Sequence, residues 1–184
     1  MRRISLYVAA LAAIAALAKP AAAQQRTEMG IDAAAIFGLG DQSSTSITFP
    51  ASRFRLGFFQ PGSRLSIEPA LGLAYNKTEG VDGLLFYDLE LGALYHLSPI
   101  TVASRGSNVV DAISTAPYLR PFIGVSGVTG GDSGDSEFSA GVGLGTRVAW
   151  RPDLAFRLEA NLGYGFDNDA ARIGLLAGLS FFPR

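Results

Sequence analysis

From Phe138 to Trp150 the chain alternates without a break between two kinds of side chain. Phe138, Ala140, Val142, Leu144, Thr146, Val148 and Trp150 form one row; Ser139, Gly141, Gly143, Gly145, Arg147 and Ala149 form the other. After Arg151-Pro152-Asp153, a tight-turn sequence, the pattern restarts. Leu154, Phe156, Leu158, Ala160, Leu162, Tyr164 and Phe166 alternate with Ala155, Arg157, Glu159, Asn161, Gly163 and Gly165. A period of two places each row on one face of a β-strand. Runs this long exceed the usual soluble strand of about 5–6 residues. They suit a tilted membrane strand of about 9–11 residues with extensions.

The same pattern recurs along the chain. Leu65, Ile67, Pro69, Leu71, Leu73 and Tyr75 alternate with Arg64, Ser66, Glu68, Ala70, Gly72 and Ala74. Leu85, Tyr87, Leu89, Leu91, Ala93, Tyr95 and Leu97 alternate with Phe86, Asp88, Glu90, Gly92, Leu94 and His96. Ile173, Leu175, Ala177, Leu179 and Phe181 face away from Arg172, Gly174, Leu176, Gly178 and Ser180. Met29 to Gly38, Ile47 to Phe59 and Tyr118 to Val128 are less regular strands. Pro50, Pro69 and Pro121 each remove a ladder donor, which predicts bulges or strand ends there. The count is about eight strands.

Composition decides what such strands must do. The chain is 48% hydrophobic with a mean hydropathy of +0.26, yet past residue 23 no apolar run is long enough for a spanning helix. Apolar surface in lipid must then be carried by strands, and strands in hydrocarbon must close into a barrel to pair their backbone groups. The predicted fold is all-β, a transmembrane antiparallel up-and-down β-barrel of about eight strands. The start reads as a leader: Arg2 and Arg3, then the apolar Ile4 to Ala18, then Lys19-Pro20 and Ala21-Ala22-Ala23. That apolar run falls short of the roughly 20 residues of a spanning helix. The expected division is a signal peptide over 1–23 and one outer-membrane barrel domain over 24–184. The absence of Cys excludes disulfides and thiolate chemistry. A net charge of −1 gives no reason to expect nucleic acid.

The connections alternate in character. Gly40 to Ser46, Asn76 to Asp82, Thr129 to Ser136 and Asp167 to Ala170 are polar and fairly short, and are assigned to the outside. Pro61-Gly62-Ser63 and Arg151-Pro152-Asp153 are tight and assigned to the periplasmic end, with both termini. The longer stretch Ser98 to Pro117 has no periodic reading. Aromatics fall at both predicted ends: Tyr75, Tyr87, Phe138, Tyr164 and Phe166 outside, and Phe58, Tyr95, Trp150, Phe156 and Phe181 inside. At a climb of roughly 2.5 Å per tilted residue, the steps Tyr87 to Tyr95 and Phe138 to Trp150 span about 20 and 30 Å. These bracket an apolar band of about 25 Å and predict two aromatic girdles.

Strand charges fall on the opposite face. Asp32, Arg53, Arg55, Arg64, Glu68, Asp88, Glu90, Arg120, Arg147, Arg157, Glu159 and Arg172, with Glu137, all read as lumenal. A charge facing lipid at mid-membrane costs about 2–4 kcal/mol, so this segregation is what insertion requires. Eight strands enclose only enough space for side chains. The charges are expected to pair and plug the lumen, with inward glycines leaving room for long Arg and Glu side chains.

The segment Arg172-Ile173-Gly174-Leu175-Leu176-Ala177-Gly178-Leu179, followed by Phe181, resembles the C-terminal signal that delivers barrels to their insertion machinery. It departs from the common form by ending in Phe182-Pro183-Arg184. Leader, strand count and final strand together resemble the small outer-membrane β-barrel family that includes OmpA, OmpX and the opacity proteins, here without a peptidoglycan-binding domain. The resemblance implies residence in the outer membrane, contact with its lipids and lipopolysaccharide, and a structural or surface-interaction role such as membrane integrity or adhesion, with an unknown surface partner. It implies no cofactor, metal or catalytic residue.

Other readings remain open from sequence. The run Gly130 to Glu137 carries carboxylates suited to Ca²⁺ but lacks the EF-hand order, and reads better as a flexible polar loop. His96-Leu97-Ser98 is similar in spacing to a His-x-Ser arrangement in lipid A deacylases, although it lies at the wrong end of the barrel for lipid A. The bland alternative is a lumenal or rim His paired with a carboxylate. Inward Phe86, Leu94 and Leu176 are compatible with an OmpW-like channel for small solutes. A soluble lipocalin-like barrel would invert the faces, and periodicity alone does not choose the sign.

Overall fold

The computed structural model describes residues 26–39, 45–59, 63–77, 83–98, 117–130, 133–151 and 153–183. The predicted leader lies outside them, as does the bulk of the unread 98–117 segment. The described chain forms eight strands: β1 Arg26–Leu39, β2 Thr45–Phe59, β3 Leu65–Asn76, β4 Leu84–His96, β5 Tyr118–Gly130, β6 Ser133–Arg151, β7 Leu154–Gly165 and β8 Ala170–Phe181. Each pairs antiparallel with its sequence neighbours, and β1 also pairs with β8, closing the barrel. Closure gives every strand two neighbours, which is the only way a sheet meets the backbone requirement in hydrocarbon.

The faces have the predicted sign. Outward positions are apolar and exposed, among them Leu71, Leu73, Leu144, Val148, Leu158, Leu162 and Leu175. Inward positions on the same strands hold Glu68, Arg147, Arg157 and Glu159, all buried. A lipocalin-like barrel would have the reverse, and the inverted reading is excluded.

The prolines behave differently from expectation, and the reason is geometric. Pro69 and Pro121 end no strand. In an antiparallel ladder a residue's N–H points toward one neighbour only. Pro69 stays in unbroken register with Leu91 of β4, while the β2–β3 ladder skips between Arg55↔Ala70 and Phe58↔Ile67. Pro121 likewise keeps its partner Val142 on β6, and the β4–β5 ladder skips between Gly92↔Phe122 and Tyr95↔Leu119. Register is the same on both sides of each gap, so each proline interrupts one ladder locally and leaves the other whole. Around Pro50 the expected bulge does occur. The pairs Asp32↔Arg53 and Ala34↔Thr48 bracket a register shift, so extra β2 residues oppose Ala33.

A second correction concerns the carboxylate-bearing run Gly130 to Glu137. Most of it is ladder: Gly130 pairs with Ser133, Thr129 with Gly134 and Ser126 with Glu137. The polar stretch extends β5 and β6 beyond the assigned loop start. Gly130 takes a φ of 137°, which disfavours any side chain, as the hairpin begins. At the other end, the Leu97 N–H donates to the Pro117 carbonyl at 3.0 Å, and the Phe182 N–H to the Asp153 carbonyl at 2.9 Å.

Candidate functional site

Among the described residues, most of the lumenal charges join in one connected ion network. Glu28 accepts two bonds from Arg147, at 2.7 and 3.1 Å, and one from Arg55. Arg55 Nε reaches Asp32 at 3.0 Å and its Nη2 donates to Ser180 Oγ at 2.7 Å. Arg53 bridges Asp32, at 3.4 Å, and Glu90, at 2.9 Å. Arg120 joins Glu90, Glu159 at 3.3 Å and Glu68 at 3.0 Å. Arg157 pairs with both Glu68 and Glu159, and Tyr118 Oη donates to Glu159 at 2.9 Å. Every strand contributes, β8 through Ser180.

These five arginines meet five carboxylates, Glu28, Asp32, Glu68, Glu90 and Glu159, so the network is neutral in itself. Isolated buried charges are very costly, whereas multiply paired ones are tolerated. Rings add to this: Arg147 stands 4.9 Å from the Tyr118 ring centroid and 5.4 Å from that of Phe59, and Arg157 5.0 Å from Tyr118. Glycines make the room. A Cβ on Gly30 would stand 2.3 Å from the Arg55 guanidinium carbon, and one on Gly92 2.5 Å from Arg120 Nε.

Of the residues assigned to the network from sequence, nine belong to it: Asp32, Arg53, Arg55, Glu68, Glu90, Arg120, Arg147, Arg157 and Glu159. Three do not. Arg64 precedes β3, is exposed, and donates to Tyr95 Oη at 3.3 Å; alternation carried one residue past the strand end misplaced it. Arg172 pairs instead with Glu137 at 3.1 Å, near the other end of the lumen. Asp88 is half-buried, and no ion pair or hydrogen bond reaches it among the described residues. Conversely, Glu28 was missed because β1 begins at Arg26 rather than Met29. The signal was legible, since Glu28, Gly30 and Asp32 continue the inward row while Met29 and Ile31 continue the outward one.

Beneath the network, at the end holding the tight turns, an apolar floor closes the lumen. Phe59, Ala155 and Phe182 pack together, and the Phe59 ring lies 6.4 Å from Phe182 and 5.8 Å from His96. His96 is fully buried, and its Nε2 lies 2.9 Å from Ser66 Oγ. Its partner is therefore neither Ser98, which is exposed past the strand end, nor a carboxylate. Among the described residues no partner reaches its Nδ1, and the Phe59 and Tyr118 rings lie 5.8 and 6.0 Å from the imidazole.

Above the network the lumen opens into a cavity of about 550 Å³ at the end holding the 77–83 and 166–169 connections. Inward Phe86 and Leu176 line it, but Leu94 is buried below. On the outer surface the named aromatics gather at the two ends. Phe138 stacks on Phe166 at 5.6 Å and Tyr164 meets Phe166 edge-on, while Trp150 stacks on Phe156 at 5.1 Å. Tyr75, Tyr95 and Phe181 are exposed; Phe58 and Tyr87 are partly covered.

No family model and no curated protein matches this sequence. Solved structures do. The chain is similar to Neisserial surface protein A, with a TM-score of 0.59 over 86% of this chain and 99% of that one, at 15% identity. It has the fold of the small outer-membrane β-barrels. Two further structures align over comparable lengths with lower scores. The N-terminal barrel domain of Pseudomonas aeruginosa OprF aligns at TM-score 0.48 and 14% identity, covering 86% of this chain and all of that one. Ail, the attachment invasion locus protein of Yersinia pestis, aligns at TM-score 0.48 and 12% identity, covering 88% and 100%.

Proposed function

We propose that the protein is an outer-membrane barrel with a structural or surface-interaction role, exported through the leader at 1–23, and that it is neither an enzyme nor a channel. The observation that carries this reading is the sorting of the two faces: an exposed apolar exterior around a neutral, multiply paired interior. Lipid contact would stabilise the outside, and the aromatic clusters at both ends fit the headgroup regions on either side of an apolar band. The ion network and the Phe59–Phe182 floor oppose passage of solute. The partners implied are membrane lipids and lipopolysaccharide, and the insertion machinery through β8, whose Gly174, Leu179 and Phe181 keep the order of the C-terminal signal. The buried His96–Ser66 contact argues against a hydrolase.

Two measurements test the reading. Folded protein from the fractionated cell envelope should migrate faster on a gel before boiling than after, and should sit in the outer-membrane fraction; a soluble periplasmic protein without a shift would overturn it. Monomer in planar bilayers should give no steady conductance at neutral pH. Stable conducting steps would replace the structural role with an OmpW-like channel.

A further inference from the structure

The cavity above the network differs from the rest of the lumen in its charge balance. The five arginines and five carboxylates beneath it are paired with one another, and Arg172 is taken up by Glu137, which also accepts from Asn168 Nδ2 at 3.3 Å. Of the carboxylates lining this cavity, Glu90 and Glu137 are engaged and Asp135 is exposed, whereas Asp88 is half-buried with no ion-pair partner among the described residues; the cavity's two arginines, Arg53 and Arg172, are both engaged. A second anomaly lies beside it. Phe86 points inward, yet 41% of its surface is exposed, an apolar ring held open in a charged vestibule. Phe86 and Asp88 share the inward row of β4 about 6.6 Å apart along the strand, so one small molecule spans both. Phe122 supplies another ring wall, lying over the glycines of β6 and β7: a Cβ on Gly141 would stand 2.4 Å from it, and one on Gly163 3.6 Å.

We propose that this vestibule binds a small organic cation, an ammonium group on an apolar body, with Asp88 as counter-ion and Phe86 as the ring against which the body packs. The geometry disfavours the other classes of ligand. An anion would find its arginines already paired. A divalent metal wants six or more oxygen ligands, or a cluster of carboxylates, and among the described residues no group of three or more such side chains is placed to hold one. An ammonium needs one carboxylate, a few acceptors such as the Ser126 hydroxyl, and an aromatic face. The closed floor makes this a binding cup without a through-path. Its facing the cell exterior rests on the orientation proposed above, whereas binding itself does not, so the test is run on folded protein in detergent and its failure leaves the membrane reading untouched.

Benzylammonium chloride is titrated at constant ionic strength against the ¹⁵N-labelled, heat-modifiable protein, following the amides of Asp88 and Ser126, with benzyl alcohol as the neutral isostere. Saturable shifts are expected with benzylammonium, at least about tenfold tighter than with the alcohol. Asp88→Asn should lower the affinity by at least about tenfold, Asp88→Glu should retain it, and Phe86→Ala should weaken it by about fivefold. If Asp88→Asn fails to fold, the alcohol comparison and Asp88→Glu decide. Absence of saturable shifts, equal saturation by the alcohol, or unchanged affinity in Asp88→Asn would overturn the proposal.

Discussion

The two halves of the lumen are built from the same alternating strands but solve the charge problem in opposite ways. Near the tight turns, charges are packed among Phe59, Tyr118 and Leu94 with almost no solvent exposure, and each arginine touches at least one carboxylate. Near the other end, the pair Arg172–Glu137 is 32% and 15% exposed and Asp88 has no ion-pair partner among the described residues. The difference follows from hydration. A sealed charge has to be neutralised by its neighbours, whereas a charge at an open mouth keeps water and tolerates imbalance. The lower half is therefore a stability element and the upper half is free to be a binding surface.

The sharpest way to break this comparison is to remove one carboxylate from each half. Glu68 is fully buried and touches Arg120 and Arg157, so Glu68→Gln leaves the sealed network with one uncompensated positive charge and should destabilise the barrel by about 3–5 kcal/mol. Asp88→Asn removes no partner and should stay within about 0.5 kcal/mol. Guanidinium unfolding in lipid vesicles, followed by the fluorescence of Trp150, reads both; equal losses would mean that the two halves form one unit. A smaller contrast comes from the glycines. Gly30→Ala drives a methyl into the Arg55 guanidinium, itself held by Glu28, Asp32 and Ser180, and should cost about 1–3 kcal/mol. Gly163→Ala meets nothing nearer than 3.6 Å and should be close to neutral by the same assay, within about 0.5 kcal/mol.

The sequence carried the fold well because period-two alternation survives every local accident. Strands β6 and β7 were legible nearly residue by residue, and even Pro69 and Pro121, expected to interrupt, sit on the outward row without shifting it. What alternation does not convey is where a strand stops relative to its neighbours. That is why Arg64 is expected inside, Glu28 goes unassigned, and the Gly130 to Glu137 run is expected in a loop when it is largely paired. Nor does it convey pairing. Arg172, Asp88 and Arg53 look alike in one dimension, and their different fates depend on height in the barrel and on contacts between β2 and β4 or β6 and β8. His96 shows the same limit, since its partner Ser66 comes from the adjacent strand rather than from two residues along its own.

The smallest predicted effect on stability is also the most informative about the vestibule. Arg172→Gln breaks a partly exposed ion pair, and such pairs contribute about 0–1 kcal/mol, so unfolding should barely move. Its effect on binding should be larger in proportion. Losing the arginine frees Glu137 and adds negative potential to the cavity that holds Asp88, so benzylammonium should bind about threefold tighter. Unchanged affinity would confine recognition to Asp88 and the rings, with Glu137 held aside by Asn168. Weakened affinity would make Arg172 part of the ligand contact and point to a zwitterion, giving the upper lumen a recognition chemistry of both signs in place of the carboxylate chemistry that sets it apart from the lower half.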